Sequence, residues 1–258
     1  MIAASLTEIA NFYGTDKGTV GPSKQWGAMN YTDVYEAYLT PYRNSPITIL
    51  EIGLGVQGET WKANIVHGRN EGGASLKMWY DYLPNASIYG IDVNPCPNLN
   101  NDRITTFVAD QSDIQQLESF IQATNNTEFD VIIDDGSHRP DHQQISLEFF
   151  FQKLKNGGIY FIEDLASNGT EDSTNTRSTC NYVKNTRNVL KHLKKHGTPA
   201  EPNAFQDSAY LIEHIAYLNF HAPNHIVDIS PQRSLRHPFK TTVHHEPDTE
   251  LLCAIGKK

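Results

Sequence analysis

Cysteine is scarce in this 258-residue chain: Cys96, Cys180 and Cys253 form an odd set with no CxxC spacing. A disulfide framework is therefore excluded as the organising device, and a reducing compartment is the default. No apolar run approaches the ~20 residues that a membrane-spanning helix needs. The opening stretch "MIAASLTEIANFYGTDKG" lacks both the basic start and the continuous apolar segment of a secretory signal. Basic residues are too few to form a phosphate-neutralising stripe: 21 Lys and Arg stand against 30 Asp and Glu, a formal charge of −9. The densest basic stretch, "VKNTRNVLKHLKKH", reads as the solvated face of one helix. Internal repeats and low-complexity linkers are absent too. The expectation is a cytoplasmic chain with neither a nucleic-acid nor a membrane partner.

What is present is enough apolar sequence for a real core, at 38% hydrophobic residues. Short β-branched runs alternate with amphipathic stretches, the mark of an α/β sheet protein built from parallel βαβ units. The strand candidates are "ITILEIGLG" (47–55), "SIYGIDVN" (87–94), "RITTFVAD" (103–110), "FDVIIDD" (129–135) and "GGIYFIED" (157–164), the last placed after a turn at "LKNGG". Helical patterns such as "DIQQLESFIQAT" and "PDHQQISLEFFFQKLK" lie between them, and "VQGETWKANIVHGRNEGGASLKMW" reads as an inserted loop before a helix. Residues 1–45 read as a helical N-terminal cap. Residues 46–258 read as one domain carrying a polar excursion at about 166–207, a candidate lid. The tail reads as a helix, "SAYLIEHIAYLNFH", then strands "HIVDIS" and "ELLCAIGKK".

In open parallel sheets ligands bind beyond the carboxyl ends of the strands. Here each of those ends carries a polar group: Glu51, Gly53 and Gly55 on the first, Asp92 on the second, Asp110 on the third. Asp134 and Asp135 end the fourth, and Glu163 and Asp164 the fifth. One acidic end is ordinary helix capping, but five in succession point to a site. The "GLG" turn lets a ligand approach the backbone, and Asp92 is placed to accept hydrogen bonds from ribose hydroxyls. The full dinucleotide glycine pattern is missing, which disfavours a nicotinamide oxidoreductase.

Asp135, Glu163 and Asp164 form the strongest cluster. Neighbouring parallel strands lie ~4.8 Å apart, so their tips can share one ion. Bare carboxylates at that range repel, and a hard divalent cation such as magnesium relieves the conflict. His138, across a short "GS" turn, is the candidate proton acceptor. Alternation turns Asp134 away from Asp135, and His142, one turn further on, reads as helix surface.

Taken together, "YGTDKG", "LEIGLG", "GGASLKMW", "YGIDVN", "VADQSD", "DVIIDDGSH" and "LKNGGIYFIEDL" resemble the metal-dependent, S-adenosylmethionine-dependent sugar O-methyltransferases of natural-product pathways, of the mycinamicin and tylosin type. The resemblance runs over roughly residues 10 to 168. It implies a class I methyltransferase (Rossmann-like) fold: a seven-stranded, mostly parallel sheet with an antiparallel last strand and helices on both faces. It implies a cofactor site at Glu51, Gly53, Gly55, Asp92, Asp110 and Gln111, with Thr15 and Lys17 closing over it. It also implies metal ligation by Asp135, Glu163 and Asp164, and general-base catalysis by His138. The implied partner is a small-molecule hydroxyl acceptor, a glycosylated or polyoxygenated natural product, and homo-oligomers occur in this family. Two rivals stay open: a catechol-type O-methyltransferase, and an inactive methyltransferase fold kept for binding.

Overall fold

The computed structural model describes residues 4–20, 28–55, 72–165, 183–222 and 251–258. Five strands run parallel where the β-branched runs lie: β1 (Thr48–Ile52), β2 (Ser87–Asp92), β3 (Ile104–Val108), β4 (Phe129–Asp134) and β5 (Leu154–Ile162). Two more complete the sheet, β6 (Ile215–His221) and β7 (Leu252–Lys257), in the order β3-β2-β1-β4-β5-β7-β6. Strand β7 is antiparallel to both β5 and β6. The expected seven-stranded, mostly parallel sheet with an antiparallel last strand is therefore what the chain forms. The order reverses between β1 and β4, so the crevice between their carboxyl ends is the topological switch point.

Each face of the sheet carries its own apolar core. Helices α1 (Leu6–Tyr13), α2 (Thr32–Leu39) and α3 (Ala74–Tyr82) cover one face, where Tyr35, Leu76 and Trp79 pack over Ile49, Val131, Ile133 and Phe161. Helices α4 (Ile114–Ala123), α5 (Pro140–Phe151), α6 (Thr186–His196) and α7 (Ala209–His214) cover the other, with Leu117, Phe150 and Leu190 over Leu50, Ile132 and Ile162. Local signals set the helix ends. Ser5 and Glu8 form a reciprocal capping box on α1, closed by Gly14 in the left-handed conformation. Asp113 caps α4 by accepting from the backbone of Gln115 and Gln116. Helix α6 buries Val189, Leu190 and Leu193 and turns its lysines outward, as its charge pattern predicts.

In the N-terminal cap the described residues include two short helices, α1 and α2, and both belong to the core of the sheet. Three expectations change. The "LKNGG" stretch lies inside β5, which begins at Leu154 and shifts register against β4 near its start. The residues "ASLKMW" are the start of α3 rather than inserted loop. The "SAYLIEHIAYLNFH" stretch splits: helix α7 stops at His214 and Ile215–His221 becomes edge strand β6. The long-range ladder to β7 satisfies backbone groups there that a local helical reading assigned within the segment. The proposed strand "HIVDIS", residues 166–182 of the polar excursion and residues 56–71 of the inserted loop lie outside the described residues.

Candidate functional site

Period-two alternation decides which strand-end acids meet. Glu51 follows Ile49 on the face covered by α1–α3, Asp135 follows Ile133, and Glu163 follows Phe161. The register places β4 Asp134 beside β5 Ile162, and the Glu163 amide donates to the Asp134 carbonyl at 2.9 Å. On the other side, the Asp135 amide donates to the Ile52 carbonyl at 2.9 Å. Three neighbouring strand tips thus turn their carboxylates to the same side of the sheet.

Gly53 is required where these tips close up. Its φ is +83°, and an added Cβ would lie 2.2 Å from the Asp135 carbonyl oxygen. The missing side chain admits the tip of β4. Among the described residues, nothing lies within 4 Å of a Cβ added at Gly55.

Asp135, His138 and Asp164 converge, with a ligand atom from each lying within 4.8 Å of the others. All three are partly open, at 24%, 30% and 27% side-chain exposure, so an ion or substrate can reach them. His138 Nε2 lies 3.5 Å from Asp164 Oδ2, while its Nδ1 is buried with no hydrogen-bond partner among the described residues. His138 (φ 58°) and Asp164 (φ 53°) both hold left-handed backbone conformations. Such geometry costs on the order of 1 kcal/mol or more at non-glycine residues, and it aims the two side chains at each other.

Glu163 is arranged differently from its neighbours. It is only 2% exposed, and both its oxygens are engaged, Oε2 by the Lys17 ammonium at 2.8 Å and Oε1 by the Tyr35 hydroxyl. Burial, and then the Asp135 charge, push its pKa upward against the pull of Lys17. Tyr31 donates to Asp164 Oδ1 at 2.6 Å. Burial and the neighbouring carboxylates hold the Tyr31 and Tyr35 phenols well above their usual pKa, so both remain donors.

Lys17 is buried at the same place. Its ammonium ends among the carboxylates, hydrogen-bonded to Asp135 and Glu163 and 3.7 Å from Glu51. Burial disfavours that charge, but Asp135, Glu163, Glu51 and Asp16 outweigh burial and keep the pKa well above the lysine range. Glu51 is fully buried and accepts from the Trp79 indole at 3.1 Å, while its Oε1 has no hydrogen-bond partner. Burial pushes its carboxyl up to about 7, although Lys17 opposes the shift. Sequence spacing contains no signal for Tyr31, Tyr35 or Trp79 at this site, because each looks like an ordinary core aromatic.

The remaining candidates divide. Asp92 accepts from the Leu54 amide at 2.9 Å and the Asn94 amide at 2.8 Å, one on each oxygen. Each oxygen keeps a further lone pair. Asp110 ties the Ser112 turn. Gln111 is a buried brace: its amide donates to Asp134 and Ser146, and its oxygen accepts from the Ser137 amide at 2.7 Å. The Thr15 hydroxyl lies at hydrogen-bond distance from Asp16 and from the Lys17 amide, at 3.5 and 3.4 Å. Asp134 points to the opposite face, as alternation predicts, and accepts from Ser146 and Gln111. His142 is not simple helix surface, since its Nδ1 lies 2.9 Å from the Ser137 hydroxyl.

No family model matches the chain. Curated relatives do. A tetracenomycin rhamnosyl 2'-O-methyltransferase of Streptomyces olivaceus is 33% identical over 206 residues, 76% of this chain and 49% of its own length. Demethylmacrocin O-methyltransferase of Streptomyces fradiae is 35% identical, over 62% of this chain and 36% of its own length. Mycinamicin VI 2''-O-methyltransferase of Micromonospora griseorubida is 33% identical over the same shares. The chain thus spans half or less of the length of these relatives. Among solved structures, the MycE methyltransferase in complex with Mg, SAH and mycinamycin VI superposes with a TM-score of 0.65 at 25% identity, over 99% of this chain and 55% of that one. The resemblance to sugar O-methyltransferases therefore holds in sequence and in architecture, and the fold is that of the class I methyltransferases.

Proposed function

We propose that this chain transfers a methyl group from S-adenosylmethionine to a hydroxyl of a small-molecule acceptor, a sugar or another group with neighbouring oxygens, with a hard divalent cation. One observation carries the reading: Asp135, His138 and Asp164 converge, partly open, beside the switch-point crevice between β1 and β4. The residues suit both groups. The acids supply an all-oxygen donor set for magnesium. Among the described residues nothing crowds Gly55 at the β1 tip, each Asp92 oxygen keeps a lone pair beyond its amide donor, and 60%-exposed Val93 offers apolar surface beside it.

When bound, the sulfonium cofactor supplies an electrophilic methyl group. Asp135 and Asp164, with Glu163 as third ligand, would hold a divalent ion, which would supply acidification and orientation of the acceptor hydroxyl. The protein's own residues do the rest. Asp92 and the Gly53–Gly55 turn orient the methyl donor. Tyr31 fixes the Asp164 carboxylate through a hydrogen bond that leaves Oδ2 toward His138. His138, partly open and with its Nε2 3.5 Å from Asp164 Oδ2, is the residue that accepts the hydroxyl proton. Such base catalysis contributes typically ~10²–10⁴-fold.

Mass spectrometry of candidate glycosides and catechols, incubated with S-adenosylmethionine and magnesium, tests the reading. A mass gain of one methylene on a glycoside, abolished by EDTA and restored by magnesium, is the expected result. Methylation of catechols alone would make it a phenol enzyme, and no turnover on any acceptor would favour a binding fold. His138→Ala should lower the rate by two or more powers of ten without weakening S-adenosylhomocysteine binding; wild-type rates would remove His138 from its role.

A further inference from the structure

The charge at the centre of the acidic site is supplied by the chain itself. We infer that Lys17 is an internal counter-cation that shares Asp135 and Glu163 with the metal, so that the two cations compete for the same carboxylates. The inference rests on the divalent-ion reading above and concerns what sets that ion's affinity.

Three observations lead to it. First, Lys17 is only 1% exposed, so its ammonium has exchanged water for carboxylates, and it bonds one oxygen each of Asp135 and Glu163. Second, each Glu163 oxygen already accepts a donor, Lys17 on Oε2 and Tyr35 on Oε1, so an ion bound there shares those oxygens with them. Third, the backbone around Lys17 is tied to the segment that holds the other acids. The Thr32 amide donates to the Lys17 carbonyl at 3.1 Å, Asn30 to Gly18 and Met29 to Asp16. The same stretch leads into Tyr31 and Tyr35, which hold Asp164 and Glu163. One N-terminal element thus grips all three acids, and its lysine sits on two of them.

Coulomb's law gives the direction. Glu51, Asp135, Glu163 and Asp164 surround the site, and the buried ammonium cancels one of their charges before any ion arrives. Removing it raises the net negative charge and removes a like charge from the carboxylates that would hold the ion, so a divalent cation binds more tightly. The same removal leaves buried carboxylates without a partner, so the metal-free fold weakens.

Isothermal titration of metal-free protein with magnesium, paired with thermal melts, tests this. Lys17→Met should bind magnesium about tenfold or more tightly than the parent. Its metal-free melting temperature should fall, and its gain on saturating magnesium should exceed the parent's. Lys17→Met combined with Glu163→Gln restores the parent's net charge, and it should recover most of the lost metal-free stability. A folded Lys17→Met that binds magnesium no more tightly than the parent would overturn the inference alone, leaving the metal reading intact. Absence of magnesium binding in the parent and both variants would overturn the metal reading and the inference with it. If Lys17→Met does not fold even with magnesium, the double variant decides, and failure to recover stability overturns the inference.

Discussion

Removing the Ser146 hydroxyl should destabilise the protein in a pH-dependent way, because that hydroxyl serves a buried carboxylate. Asp134 is fully buried, and burial pushes its carboxyl from 3.8 up to about 6, although Ser146 and Gln111 pull it down. That gap means the fold disfavours the ionised form by on the order of 3 kcal/mol. The sign follows from proton binding: between 3.8 and about 6 the native state binds more protons than the unfolded chain, so this group's contribution falls as pH rises through that window and stays low above it. In Ser146→Ala the buried carboxylate loses a donor, a cost of about 2 kcal/mol for an ionised acceptor. Alanine inside α5 returns about 0.5 kcal/mol of helix propensity. The net loss above pH 7 is therefore about 1.5 kcal/mol, or roughly 3–6 °C in Tm for a chain of this size. At pH 5, where native Asp134 is mostly protonated, the difference should shrink to about 0.5 kcal/mol. Thermal melts of both proteins from pH 5 to 8 measure it. A difference independent of pH would refute the assignment of the cost to Asp134 ionisation. A loss of magnesium binding at unchanged stability would refute the division of labour that keeps Asp134 out of the metal site.

Gly53→Ala meets both a backbone oxygen at 2.2 Å and a φ of +83°, so urea denaturation should show a loss of 2 kcal/mol or more; a neutral effect would mean that the β1 and β4 tips are not so closely packed. Tyr35→Phe removes the donor to a buried oxygen of Glu163 and should cost about 1–3 kcal/mol in the metal-free protein. Saturating magnesium should reduce that cost, and chemical denaturation with and without the ion reads the difference. Asp92→Ala should weaken S-adenosylhomocysteine binding in a calorimetric titration while leaving magnesium affinity unchanged; loss of both would place Asp92 nearer the metal than the cofactor.

Much of this molecule is determined by local sequence. The period-two runs specify five parallel strands, and the same alternation separates Asp135 from Asp134, because successive side chains on a strand must face opposite ways. Acids at successive strand ends mark the site, since parallel strands bring those ends to one edge of the sheet. Three-dimensional packing decided the rest. The "IAYLNFH" half of a helical-looking segment became β6 because β7, distant in sequence, offered a ladder. Gln111 became a brace because the segment after β3 reaches the tip of β4, and Gly53 became a contact point because the tips of β1 and β4 close on each other. Above all, Lys17 reaches Asp135 and Glu163 across separations of 118 and 146 residues. No local periodicity encodes that path. A lysine in a short turn reads as solvated until the fold encloses it, and only a well of buried carboxylates gives its charge a reason to stay inside.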